Sequence, residues 1–148
     1  MATLVYMALC QHAVIDRQSN LASLFDLIEE VQIEQALLDR SQNEKLAVGF
    51  NMDLMALISR EWPQLTESED LKVSLSLVFP SGEIGRLTEA KPDLSARRSR
   101  VIFKLLALTL RGAGLYEFQL ASGEQILGRI PLQVLAAPVK EQQHSSPH

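Results

Sequence analysis

Leu46-Ala47-Val48-Gly49-Phe50-Asn51-Met52-Asp53-Leu54-Met55-Ala56-Leu57-Ile58 carries an apolar residue at every even position, and Ala47, Gly49, Asn51 and Asp53 between them are small or polar. Successive side chains of a β-strand point to opposite faces, so this rhythm of two predicts one long strand with an apolar even-numbered face and a wetter odd-numbered one. A helix would spread the same residues around its whole circumference. The even face must pack on a second layer, and the flanking segments identify that layer as another sheet.

Upstream, Leu4, Tyr6, Ala8 and Cys10 alternate with the equally apolar Val5, Met7 and Leu9, which predicts a strand over Thr3 to Ile15 that is covered on both faces or central in its sheet with one face under a loop. It ends at the turn-forming cluster Asp16-Arg17-Gln18-Ser19-Asn20. Leu21 to Gln35 supports two readings. Leu21, Leu24, Phe25, Ile28 and Val31 follow helical spacing, whereas Leu21, Phe25, Leu27, Val31 and Ile33 give a weaker strand alternation. A short turn directly after a strong strand makes a hairpin partner the economical topology, so the segment is read as a strand. Glu34 to Asn43 reads as a connection with one helical turn through Ala36-Leu37-Leu38.

Downstream, Pro63 stops the long strand, and Glu67-Ser68-Glu69-Asp70 is an acidic loop. Leu71, Val73, Leu75, Leu77 and Phe79 alternate with Lys72, Ser74 and Ser76, a half-buried strand that turns at Pro80-Ser81-Gly82-Glu83 into Ile84 to Thr88. Val101 to Leu110 is apolar almost throughout. Tyr116, Phe118 and Leu120 lead into Ala121-Ser122-Gly123-Glu124, and Ile126, Ile130, Leu132 and Val134 lead out. Gly123 supplies the positive φ of a tight turn, and Pro131 places its strand at an edge or a bulge. The two turns share the wording Ser-Gly-Glu, the same hairpin chemistry used twice.

The tally is about eight strands, and the expected fold is all-β: a two-layer antiparallel β-sandwich, Ig-like or C2-like, over residues 1–137. It lacks the cysteine pair and tryptophan spacing of an antibody domain. Residues 138–148 are polar and without periodicity, the pattern of a flexible C-terminal tail.

Tyr6-Met7-Ala8-Leu9-Cys10, Leu24-Phe25-Asp26-Leu27-Ile28, Gly114-Leu115-Tyr116-Glu117-Phe118 and Pro131-Leu132-Gln133-Val134 occur in an order that resembles a group of small uncharacterised bacterial β-sandwich proteins, a domain family of unknown function. The similarity runs from about Leu4 to Val134 and implies that Leu21 to Val31 is a strand. It implies no activity, and so no functional residue is carried over.

The totals bound the function. The chain has 148 residues, 47% hydrophobic and 22% charged, enough for one domain with its own core. A net charge of −4 gives no general attraction to nucleic acid or to an anionic membrane. No apolar run approaches the roughly 18 residues that span a bilayer. The single Cys10 cannot form an internal disulfide and the start lacks a basic signal region, which together predict a cytoplasmic protein.

Chemistry-bearing residues are few. Cys10 and His12 share one strand face, the placement a nucleophile and its base need, but no third orienting group is apparent, and a buried thiol beside a strand-end histidine explains both. Asp26, Glu29 and Glu30 offer carboxylates for acid–base work or simply a solvated run. Glu67, Glu69 and Asp70 are a loop calcium candidate without EF-hand spacing. His12, His144 and His148 are too scattered for zinc. Catalytic and metal residues are therefore expected to be absent, as are cofactors.

Charge is the stronger signal. Lys91, Arg97, Arg98, Arg100, Lys104 and Arg111 against Asp93 give a net +5 over 91–111, and Asp26, Glu29, Glu30, Glu34, Asp39 and Glu44 against Arg40 give −5 over 26–44. If the segments are neighbours they neutralise each other; if they form opposite poles they can steer a partner or a second copy. Arg97, Arg98, Arg100 and Lys104 are the candidate anion or partner contacts. No aromatic side chains interleave them to stack bases, so nucleic acid is not the expected partner. Trp62, the sole tryptophan, is a candidate anchor for a partner, with core or rim packing as its alternative. The expected function is a non-enzymatic protein-interaction module, with protein partners or self-association. The competing expectation is a sandwich that binds a small ligand or carbohydrate.

Overall fold

The computed structural model describes residues 2–16, 18–19, 21–60, 72–92 and 98–138. Its strands are β1 (Ala2–Ile15), β2 (Ala22–Leu27), β3 (Glu30–Ile33), β4 (Leu46–Arg60), β5 (Val73–Val78), β6 (Ile84–Ala90), β7 (Arg98–Leu110), β8 (Gly114–Ser122) and β9 (Gln125–Ala136), with one helix, α1 (Gln35–Asn43). They form two sheets, one in the order β2-β1-β4-β7 and one in the order β3-β9-β8-β5-β6. The all-β sandwich expected from the alternation is the observed fold. The strands number nine among the described residues rather than about eight, and β3 pairs with β9 in parallel while every other pair is antiparallel.

The even-numbered face of β4 does what its pattern requires. Met52, Leu54, Ala56 and Ile58 are buried and meet Leu75, Leu77, Phe118, Leu120, Leu132 and Val134 of the second sheet in one core. The odd face is wet only at Ala47, Gly49 and Asn51; from Asp53 onward it is buried as well, at Met55 and Leu57. A bulge marks the change. Gly49 pairs with Ala107 and Met52 with Leu105, so Phe50 and Asn51 together oppose Leu106. The bulge shifts which positions of β7 point inward, from Val101, Phe103 and Leu105 to Leu108 and Leu110. That shift is why the sequence of β7 reads as apolar at both parities.

The segment read as a strand over Leu21 to Gln35 is extended as far as Ile33, as the hairpin argument predicts, but it is not one strand, and Gln35 already begins α1. Ile28 donates its amide to the Leu9 carbonyl at 2.8 Å, and the Glu29 carbonyl accepts from the Gln133 amide at 3.0 Å. Two consecutive residues thus bond to different sheets, and the chain crosses between layers there. This crossing puts β2 and β3 on the same side of the sandwich. The connection after β3 holds a nine-residue helix rather than a single turn. Leu38 on α1 is buried in the core.

Pro131 does not lie in an edge strand, because β9 runs between β3 and β8. The sequence expectation is corrected by strand length: β3 reaches only Gln133 to Ala136, so beside Pro131 one side of β9 has no ladder to which an amide would donate. Gly128, also on β9, faces Leu4 of β1 so closely that a Cβ there would collide with the Leu4 side chain. This contact sets β9 over β1. Both Ser-Gly-Glu turns use glycine in the left-handed region, φ 91° at Gly82 and 59° at Gly123.

Candidate functional site

β7 is an edge strand of thirteen residues with no strand on its outer side among the described residues. Its pairing with β4 sets Arg98 against Ser59, Arg100 against Leu57, Ile102 against Met55 and Lys104 against Asp53. Since Met52, Leu54, Ala56 and Ile58 face the core, these four β7 side chains share the outer face of the first sheet. Three of the four basic candidates, Arg98, Arg100 and Lys104, therefore stand in one row along an edge. Arg97 and Trp62 lie outside the described residues, as do Glu67, Glu69 and Asp70, His144 and His148, and the tail from 139 onward.

The first part of the acidic segment occupies the other side. Asp26 sits on β2, and Glu29, Glu30 and Glu34 flank β3; all four are exposed. Between β2 and β7 lie β1 and β4, and between β3 and β6 lie β9, β8 and β5. At about 4.8 Å per strand the two edges are roughly 14 to 19 Å apart, beyond the Debye length of about 8 Å at physiological salt. Asp26, Glu29 and Glu30 thus stand on the opposite edge from Arg98, Arg100 and Lys104, whereas the two segments meet at their other ends, where Ser41 of α1 bonds to Gly112 beside Arg111. Ion pairs between described residues join Lys45 to Glu83, Arg86 to Glu89, Arg129 to Glu117 and His12 to Asp53, and none of these bridges the poles.

Exposed apolar side chains follow the same division. The four most exposed large hydrophobics are Leu106 (74%), Leu21 (66%), Leu27 (63%) and Ile84 (60%). Leu21 and Leu27 belong to the β2 side, Leu106 and Ile84 to the β7 and β6 side. Among the described residues, β7 thus combines a free strand edge, the cationic Arg98 and Lys104 and the exposed Leu106, the ingredients of strand addition.

Cys10 and His12 do share a face, and the fold supplies the third group that sequence spacing left out. The Asp53 carboxylate is 3.9 Å from His12 Nδ1 and accepts the Ala13 amide at 2.9 Å. The imidazole in turn stacks on Phe25, with ring centroids 6.2 Å apart. This set is not poised for nucleophilic chemistry. The Cys10 thiol is fully buried and donates to the Asp53 carbonyl at 3.5 Å. Burial first, and the Asp53 charge second, push its pKa up, the opposite of thiolate activation. The signal for Asp53 was present in the sequence, because it is the one ionisable residue between Lys45 and Arg60.

A second buried polar cluster fastens the turn from β7 to β8. Tyr116 Oη accepts the Arg111 amide and donates to the Gly112 carbonyl, both at 2.6 Å. Ser41 Oγ of α1 accepts the Gly112 amide at 2.8 Å and donates to the Leu38 carbonyl at 2.7 Å. These bonds satisfy a crossing loop that no ladder serves. Elsewhere, Lys72, Glu89, Ala90 and Lys91 line an open groove of about 250 Å³. Among the described residues no three His, Cys, Asp or Glu side chains are grouped to hold a metal ion, and no helix is long and apolar enough to cross a membrane.

Compared with models of known protein families and with curated proteins, the chain matches none.

Proposed function

We propose that this chain is a non-enzymatic protein-interaction module whose β7 edge receives an extended, acidic segment of a protein partner. The observation that carries this reading is the row Arg98, Arg100, Lys104 on the outer face of a long strand whose far side has no described partner strand. Strand addition draws affinity from backbone hydrogen bonds and specificity from alternate side chains, and here the alternate side chains are cationic. The buried, unactivated Cys10 thiol supports the non-enzymatic part of the reading and is at home in a reducing compartment such as the cytoplasm.

Fluorescence anisotropy with two labelled peptides, one alternating Glu with Thr and one alternating Lys with Thr, tests this reading. The acidic peptide should bind, and Arg98→Glu with Lys104→Glu should weaken it at least tenfold. Equal binding of both peptides, or an unaffected double variant, would refute it.

A further inference from the structure

We infer that the outer face of β1 and β2 is a dimer interface, on which a second copy of this chain packs face to face about a two-fold axis. The β1–β2 register sets Leu27 opposite Cys10, Phe25 opposite His12 and Ser23 opposite Val14, and the Asp16 amide extends it by donating to the Leu21 carbonyl at 2.9 Å. Leu9, at an alternate position of β1, lies in the core, so Tyr6, Val14, Leu21, Phe25 and Leu27 share the outward side with His12. Twelve of the described large hydrophobic side chains are exposed, and these five fall on one face of two adjacent strands, which makes a patch of them and not a scatter. The outward face of the second sheet is of the opposite kind. Ser74, Ser76, Glu117, Gln119 and Arg129 occupy it, and Glu117 bonds to both Gln119 and Arg129.

Area and charge both favour a second copy as the occupant. At their observed exposures the five side chains present about 500 Å² per copy, so the patch paired with itself reaches the roughly 1,000 Å² that a specific interface needs. Interfaces between identical subunits are also the more apolar class. An isologous contact brings the residues of a patch near their own copies, so a self-pairing surface must avoid formal charge at its centre. This one does: no Asp, Glu, Lys or Arg stands among its outward positions from Tyr6 to Val14 and from Leu21 to Leu27. Asp16 lies past the end of β1, where it accepts the Gln18 amide, and Asp26 takes an alternate position off this face. His12 stacks on Phe25 with its Nδ1 3.9 Å from the Asp53 carboxylate, and so joins the patch through its ring. A pairing of β7 with β7 would instead bring Arg98 and Lys104 against their own copies. Because β4 lies between β1 and β7, the proposed dimer leaves both β7 edges free and presents two cationic edges at once, whatever those edges bind.

Sedimentation velocity and light scattering on the full chain test the inference. The mass should rise from monomer to dimer with concentration and stop there, and about 1 M salt, where the Debye length falls to about 3 Å, should leave the dimer intact because no ion pair holds it. Leu27→Glu and Leu21→Lys each place a charge inside the contact and should raise the dimer dissociation constant about tenfold or more. Ile84→Glu alters a comparably exposed side chain outside the patch and should leave that constant unchanged. All three positions are exposed, and circular dichroism checks that the variants remain folded. A wild type that stays monomeric at millimolar concentration overturns the inference and leaves the patch to another apolar partner. Dissociation by salt alone, Leu27→Glu and Leu21→Lys variants that dimerise like wild type, or an equal loss in Ile84→Glu overturn it as well. A monomeric wild type that still binds the acidic peptide removes the dimer alone, and a dimer that ignores the peptide removes only the reading of β7.

Discussion

Asp53 reaches forty residues back along the chain to accept the Ala13 amide proton at 2.9 Å. β1 pairs with β4 from Ala2 as far as Cys10 opposite Asp53, and beyond that pair β1 has no ladder partner on β4. The carboxylate takes over where the backbone acceptor ends.

Asp53→Ala should therefore leave a buried amide without an acceptor and lower stability by about 1–3 kcal/mol. Asp53→Asn retains an oxygen acceptor and should lose less. Urea unfolding of the two variants against wild type measures the difference.

Ser41→Ala removes the acceptor of the Gly112 amide, and Tyr116→Phe removes the hydroxyl between Arg111 and Gly112. Each should cost about 1–3 kcal/mol. Because both side chains hold one loop, the double variant should cost less than the sum of the singles, and a double-mutant cycle reads that coupling.

Gly128→Val should destabilise by about 1–3 kcal/mol, since its side chain overlaps Leu4 across the sandwich. In a Leu4→Ala background the same substitution should cost less. Thermal unfolding of the four proteins checks both statements.

Alkaline pH should unfold the protein through two buried acids. Burial raises the Cys10 pKa above 9.0 and that of Tyr116 above 10.0. A raised folded-state pKa means the contribution is complete below the unfolded-state value and is lost as pH climbs toward the folded-state one. Stability should hold flat from neutral pH to about 9 and then fall, and Cys10→Ala should remove the earlier part of that fall. The buried Cys10 should also react with iodoacetamide far more slowly in the native protein than in urea.

Legibility differed from element to element for physical reasons. β5, β8 and β9 were readable because each buries one set of alternate positions, with glycine where their turns need positive φ, and β4 because its even positions are apolar throughout although its odd face is buried too from Asp53 onward. β7 showed no alternation because the bulge opposite Leu106 makes its inward positions odd at one end and even at the other. Leu21 to Gln35 mixed two periods because it serves two sheets in succession, and a crossing within two residues has no local signature. Of the site residues, Arg98, Arg100 and Lys104 were recognised by charge. Asp53, Ser41 and Tyr116 were passed over because their partners are amides, which every residue carries.

By itself the sequence determined that this is an all-β sandwich with two oppositely charged segments, since alternation and charge are local properties of a chain. Only the tertiary structure decided that Asp26, Glu29 and Glu30 stand on the opposite edge from Arg98, Arg100 and Lys104, that β7 is one of those edges, and that Asp53 joins Cys10 and His12. Strand order and edge position follow from pairings between residues far apart in the chain, and those depend on the summed packing of two sheets rather than on any short stretch.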